Sequence, residues 1–146
     1  MVQRVCVDAS LALMLLLPHE LTEQTETLWR QWFEDGIELV TPALFFAEVT
    51  SVLRESVYFG RILPDEGESA FNVFLNLGIR SIDATELQPR AWELAQKYNR
   101  PRAYDSQYLA VASSLGCELW TGDRRLVNAV PVPWLKWVGE YTRGRV

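Results

Sequence analysis

Val5-Cys6-Val7-Asp8-Ala9-Ser10-Leu11-Ala12-Leu13 is the stretch on which the fold turns. Val5 to Val7 form a short β-favouring apolar run that stops at Asp8, and Ala9 to Leu17 then reads as a mostly apolar helix. Asp8 is thus placed at the carboxyl end of a strand. In open parallel α/β sheets, ligands bind outside that edge, so a side chain there points into a crevice. The same aspartate also suits a helix N-cap, where its side chain accepts a backbone N–H bond. Taken alone, Asp8 is explained by the cap.

Three further acids sit where an apolar run meets a helix. Ala43 to Tyr58 reads as a helix, with Glu48 one turn from Leu44, Phe45 and Val52 of its apolar stripe. A carboxylate beside a buried stripe costs several kcal/mol of desolvation unless it is paired or metal-bound. A pair with Arg54, or an edge position reaching water, is the structural alternative. Asp105 opens the helix Tyr104 to Leu115, and Tyr108, Leu109 and Ala112 follow it on one face, so it looks toward the core side. Asp123 follows the strand-like Cys117 to Thr121 across Gly122 and precedes a short helix. Capping accounts for Asp123 and Asp105 but not for Glu48. One site built from four acids is more economical than three caps and a stray semi-buried carboxylate, and acids so placed point to a divalent metal.

Rival chemistries lack their residues. A haloacid-dehalogenase-type phosphatase needs a second Asp two positions after the first, where Ser10 stands. A response-regulator receiver needs a paired acid and a late lysine, and the only lysines are Lys97 and Lys136. Neither GxxxxGK[ST] nor GxGxxG occurs, which argues against a glycine-rich phosphate cradle. His19, the single histidine, lies in a Pro-His-Glu turn, against a zinc site or a Ser-His-Asp triad.

Val-Cys-Val-Asp8-Ala-Ser10, Ala-Glu48-Val-Thr-Ser-Val-Leu53, Tyr-Asp105-Ser-Gln-Tyr-Leu-Ala-Val-Ala112 and Leu-Trp-Thr121-Gly-Asp123-Arg-Arg-Leu126 together resemble the four motifs of PIN-domain ribonucleases. Order, spacing and length fit from residue 3 to about 138, and within that family the chain is most similar to the small VapC toxins of prokaryotic toxin-antitoxin pairs. The resemblance implies a Mg²⁺- or Mn²⁺-dependent endoribonuclease with Asp8, Glu48, Asp105 and Asp123 around the metal. Asp8 and Asp105 would be the most direct ligands, and Glu48 and Asp123 further ligands or water-orienting bases. Ser10 and Thr121 match positions where relatives place a hydroxyl supporting a water at the metal, although each also suits a cap or strand end. Ser106 stands where alanine is common after the third acid. Gly122 stands where a second acid often precedes the fourth, which lowers the carboxylates available to a second metal. The resemblance further implies a homodimer and an antitoxin packed near the active site.

Oxygen-rich acid clusters suit hard ions that keep several waters and bind phosphate oxygens. Two such ions, about 3.5–4 Å apart, clamp both attacking and leaving oxygens of a phosphodiester. Two other readings remain at this level: a catalytically silent PIN-like RNA- or protein-binding module, and a metal-dependent DNA nuclease or phosphatase. RNA is told from DNA by contacts to a 2′-hydroxyl that sequence does not reveal.

Composition fits one compact domain spanning 1–146, since the chain is 49% apolar with six tryptophans. No repeat or low-complexity tract interrupts it. Leu11 to Leu17 is too short to cross a bilayer and is flanked wrongly for a signal peptide, so a cytoplasmic protein without membrane association is expected. Cys6 and Cys117 then read as buried thiols on or beside neighbouring strands. The net charge is −5, or −1 with the four site carboxylates set aside. Arg100, Arg102, Arg124 and Arg125 flank the third and fourth acids and are candidates for RNA phosphate contacts, though each alone also reads as solvated surface charge. The balance predicts weak nonspecific RNA binding with a shallow salt dependence.

The expected path is strand 3–8, helix 9–17, helix 20–35, strand 38–41, helices 43–59 and 64–78, strand 79–83, helix 86–98, helix 104–115, strand 117–121, a short helix 123–129 and strand 134–138. Strands separated by helices predict an α/β fold, a three-layer α/β/α sandwich on a mostly parallel sheet of about five strands. Such a sheet brings all four acids to one edge.

Overall fold

The computed structural model describes residues 3–83 and 85–142. Its path is β1 (Arg4–Val7), α1 (Ala9–Leu16), α2 (Thr22–Glu34), β2 (Glu38–Pro42), α3 (Leu44–Tyr58), α4 (Pro64–Leu75), β3 (Arg80–Ile82), α5 (Leu87–Lys97), α6 (Tyr104–Leu115), β4 (Glu118–Thr121), α7 (Arg124–Ala129) and β5 (Leu135–Trp137), with a 3₁₀ turn at Val138–Glu140. Every expected element is present, and boundaries differ only at the ends. Helix α2 begins at Thr22 because the Thr22 hydroxyl is spent on the carbonyls of Met14 and Leu17, closing the turn after α1. Helix α4 ends at Leu75, short of the expected 78.

The sheet is entirely parallel, in the order β3-β2-β1-β4-β5. Cys6 lies opposite Val40 of β2 on one side and Leu119 of β4 on the other. Val5, Cys6, Val7, Val40 and Leu119 are all buried. Burial on both faces explains why β1 reads as continuous apolar sequence rather than an alternating pattern. The chain leaves β1 to build β2 and β3 on one side, then returns to place β4 and β5 on the other. Beyond the carboxyl end of β1 lies the crevice where such sheets bind ligands.

Helices pack in two groups, α1 with α2, α3 and α4, and α5 with α6, which itself lies on β1, β2 and β4. This is the expected α/β/α sandwich. Phe45 of α3 is fully buried, its ring 5.1 Å from Phe46 and 5.9 Å from Phe74 of α4. Trp32 of α2 sits edge-on between Trp29 and Trp120. Phe33, next to Trp32 on α2, instead projects into solvent at 85% exposure. Helix α6 stops at Gly116, whose φ of 64° lies in the left-handed region a Cβ disfavours, and this turns the chain into β4. Cys6 and Cys117 are free thiols on or beside the adjacent strands β1 and β4. Burial, reinforced by Cys117 and Asp8, pushes the Cys6 thiol well up, as for a thiol packed in a core. Among the described residues, no helix is long and apolar enough to cross a membrane.

Candidate active site

Asp8 does cap α1, its Oδ1 accepting the Leu11 N–H at 2.9 Å. Capping does not exhaust it. The same oxygen accepts from Ser10 Oγ at 2.7 Å, and Oδ2 accepts from Thr121 Oγ1 at the end of β4. The two hydroxyls are 3.2 Å apart, Ser10 Oγ receives the Gly122 N–H, and Thr121 Oγ1 receives the Asp123 N–H. Ser10 and Thr121 therefore tie the carboxyl ends of β1 and β4 together around Asp8. Asp8 is 6% exposed, and this burial pushes its pKa up from an ordinary 3.8 to about 6. The bonds from Thr121, Leu11 and Ser10 oppose the rise, while the charge of Asp105 adds to it.

Since the Thr121 hydroxyl is the strongest of those opposing bonds, Thr121→Val moves the Asp8 pKa further up. A hydrogen bond to a charged acceptor is worth about 1.5–3 kcal/mol, or about one to two pH units. The expected result is a Mn²⁺-binding curve displaced to higher pH by that amount, read by calorimetry across pH. An undisplaced curve would remove Thr121 from the control of Asp8.

Glu48 is half-buried on α3 and has no bond to Arg54, which is exposed and lies over the Tyr58 ring. Its partner is Tyr108 of α6, whose hydroxyl donates to Glu48 Oε1 at 2.6 Å. Tyr108 is 3% exposed, and burial followed by the bond to Glu48 holds its phenol strongly in the protonated, donating form. Sequence reading placed Tyr108 on the core face of α6 and missed this role. The available signal was that a buried tyrosine hydroxyl needs a partner.

Asp105 is not a cap. It is the second residue of α6, no side chain caps that helix, and its Oδ2 pairs with Arg100 Nη2 at 3.2 Å. Arg100 is thereby drawn inward, and its Nε is buried without a partner. Next to Asp105, Ser106 is fully buried and its hydroxyl also finds no partner, so the position is packed as an alanine would be. Asp123 does cap α7, accepting the Arg125 N–H at 3.0 Å, with the Arg125 guanidinium 3.5 Å away.

Asp8, Ser10, Glu48, Asp105, Tyr108 and Asp123 line one small cleft of about 80 Å³. The sheet order makes this possible, since β1 and β4 deliver Asp8 and Asp123 side by side while α3 and α6 bring Glu48 and Asp105 over them. Among the described residues, no three acids stand close enough to hold one ion as they are oriented. The reason is visible in their partners, because each carboxylate is turned to a donor of the protein: Thr121 and Ser10, Tyr108, Arg100, or the backbone of α7. The donor set fits a hard divalent ion, and Arg100 engages only the Oδ2 oxygen of Asp105.

Of the four arginines, Arg102 alone is exposed without an ion pair or an aromatic contact among the described residues; Arg124 lies 5.1 Å over Trp137, and Arg125 stays by Asp123. Gly122 has a structural reason. A Cβ there falls 2.7 Å from Met14 Sδ and 3.1 Å from the Ser10 carbonyl oxygen, so a second acid at this position would require the Met14 side chain to swing aside and the Ser10 backbone to give by a few tenths of an ångström.

A family model described as the PIN domain matches residues 5–130. The chain is 31% identical over 122 residues to VapC ribonuclease Mb0985 of Mycobacterium bovis, covering 84% of this chain and 87% of that protein. It is 32% identical over 132 residues to ribonuclease VapC3 of Pyrobaculum aerophilum, covering 88% and 95%. Among solved structures, VapBC2 of Rickettsia felis, bound to a DNA fragment from its promoter, superposes with a TM-score of 0.70 at 12% identity, over 92% of this chain and 98% of that one. PAE2754 of Pyrobaculum aerophilum gives 0.67 at 20%, over 94% and 85%. At these identities the structural likeness carries the fold alone.

Proposed function

Because the chain belongs to the PIN domain family, we propose that it is a metal-dependent endoribonuclease of the VapC type, the toxin of a toxin-antitoxin pair. The observation carrying this reading is the convergence of Asp8, Glu48, Asp105 and Asp123 on one cleft at the carboxyl edge of the sheet. The relatives' names, VapC ribonuclease among them, support the substrate class.

Asp8 and Asp105 are the principal metal ligands, with Glu48 and Asp123 completing the site or orienting water. Mg²⁺ or Mn²⁺, when bound, supplies a Lewis acid that acidifies water and neutralises charge on the phosphate. Ser10 and Thr121 fix the plane of the Asp8 carboxylate and keep it anionic at neutral pH. Tyr108 holds one oxygen of Glu48, leaving the other to face the cleft. Arg102 and Arg100 contact phosphate, and Arg124 and Arg125, which flank Asp123 in the chain, are further candidates for such contacts. The chain acts as one domain over 1–146, in the cytoplasm, as a homodimer, and is held silent by a cognate antitoxin.

The test is cleavage of structured RNAs, with single-stranded DNA as comparison, by purified protein freed of antitoxin. RNA cleavage with Mg²⁺ or Mn²⁺ that stops in EDTA is the expected result. Cleavage persisting in EDTA would refute the metal mechanism. A folded, metal-binding protein that cuts nothing would move the assignment to a silent RNA- or protein-binding module.

A further inference from the structure

A second cleft opens beside the carboxylates. It is about 390 Å³ in volume and lined by Glu48, Arg100, Pro101, Arg102, Tyr104 and Asp105. Glu48 and Asp105 also line the small acidic cleft, so the two share a wall made of proposed metal ligands. The second cleft differs in character, since it adds two cations, a proline and an exposed aromatic ring to the two shared acids, whereas no cation among the described residues lines the small cleft. Tyr104, the first residue of α6, is 59% exposed. Among the described residues, no other aromatic ring packs on Tyr104, and no carboxylate pairs with Arg102. More than half of Tyr104 therefore stays open to a ligand at the mouth of the cleft. Its neighbour Tyr108, four residues on along the same helix, is buried and bonded as a structural tyrosine should be.

Combining a free ring with a free guanidinium at the rim of a phosphate-cutting site is the chemistry that holds an unpaired nucleotide: the base lies on the aromatic face and the backbone phosphate meets the cation. We propose that this cleft is a nucleotide subsite. The base adjoining the scissile phosphate stacks on Tyr104 against Pro101, and Arg102 takes the phosphate on its far side. The proposal rests on the ribonuclease reading of the acidic cleft and deepens it, because it makes an unpaired base next to the cut a requirement of the substrate. Stacking is tolerant of base identity, so the subsite selects for a flipped or looped nucleotide rather than for one base. A continuous duplex would be refused.

The experiment measures binding of short fluorescent single-stranded RNA, and its DNA counterpart, by anisotropy in EDTA, with a single abasic nucleotide walked along the strand. Binding without metal separates the subsite from cleavage. Tyr104→Ala, at an exposed helix-start position where alanine does not threaten folding, is expected to weaken binding about 5- to 100-fold, the range for loss of one stacked base. Tyr104→Phe retains wild-type binding. In wild type, removing one base costs as much as Tyr104→Ala, and that cost disappears in the Tyr104→Ala background. Arg102→Ala instead lowers the salt slope by about 0.7, the value for one single-strand phosphate contact, at every abasic position alike.

An abasic profile that is the same with and without Tyr104, or a Tyr104→Ala protein that binds as wild type does, overturns the subsite even if the protein cleaves RNA with metal. Failure to bind RNA at all overturns it too. Coupling between Tyr104 and one base in a protein that never cleaves leaves the subsite standing and removes the nuclease reading instead.

Discussion

Asp8→Asn abolishes metal-dependent RNA cleavage, by about a thousandfold or more, while making the metal-free protein more stable at neutral pH. The first half follows from Asp8 being the most enclosed of the four carboxylates. A metal contribution of roughly 4 kcal/mol to the barrier is a factor of about a thousand in rate. The second half follows from its pKa of about 6 in the folded chain against an ordinary 3.8. Because folding raises this acid's pKa, the folded state binds the proton more tightly than the unfolded one, and stability falls as pH rises from about 4 to 6. Above pH 6 the ionised, buried Asp8 carries the whole penalty, about two pKa units or on the order of 3 kcal/mol. Asparagine removes that charge, its carbonyl oxygen still accepts from the Leu11 N–H and the Ser10 hydroxyl, and the Thr121 hydroxyl can rotate to accept from its amide. The expected gain at pH 7.5 is about 1–3 kcal/mol, shrinking toward zero near pH 4, measured by urea unfolding of both proteins in EDTA. A variant that loses activity and also stability at pH 7.5 would mean that Asp8 is held as a structural cap and not as a site carboxylate.

That conflict between stability and chemistry explains what the sequence reveals and what it hides. Asp8 is legible because a strand and a helix meet at it, a local pattern, and local patterns placed every helix and strand within a few residues. Glu48 is legible as an anomaly, a charge in an apolar stripe, but its answer is Tyr108, sixty positions away on another helix. Nothing in either segment encodes that α3 and α6 meet, so the pairing with Arg54 on Glu48's own helix looked equally good. Asp105 is the converse case. Its place at a helix start suggested a cap, yet the preceding chain turns Arg100 back onto it, and an ion pair replaces the cap. Gly122 is a fourth kind of case. Its want of a carboxylate reads as a weakened second metal site, and the structure adds a packing feature the sequence does not show, the close approach of the Met14 side chain and the Ser10 backbone to that position. Elements follow from short-range pattern. The site needs the packing between elements, which depends on which faces bury one another.

Phe45→Ala tests that packing, and it should be the most damaging single change outside the acids. Phe45 is fully enclosed beneath α3 against Phe46 and Phe74. Its truncation leaves a cavity that helices held by a parallel sheet can only partly close, and such losses cost about 3–5 kcal/mol. Against a total stability of about 5–15 kcal/mol, this lowers the melting temperature by roughly 10–20 °C. The informative comparison adds Mn²⁺. Phe45→Ala keeps all four carboxylates, so metal at about a hundred times its dissociation constant should return about 2.7 kcal/mol to it, as to wild type. Asp8→Asn should gain little, because the ligand that metal binding repays is gone. The two variants therefore move oppositely, one unstable and rescued by metal, the other stable and indifferent to it. Should Mn²⁺ raise the melting temperature of Asp8→Asn as far as that of wild type, the ion binds elsewhere, and the four acids at the sheet edge need another explanation.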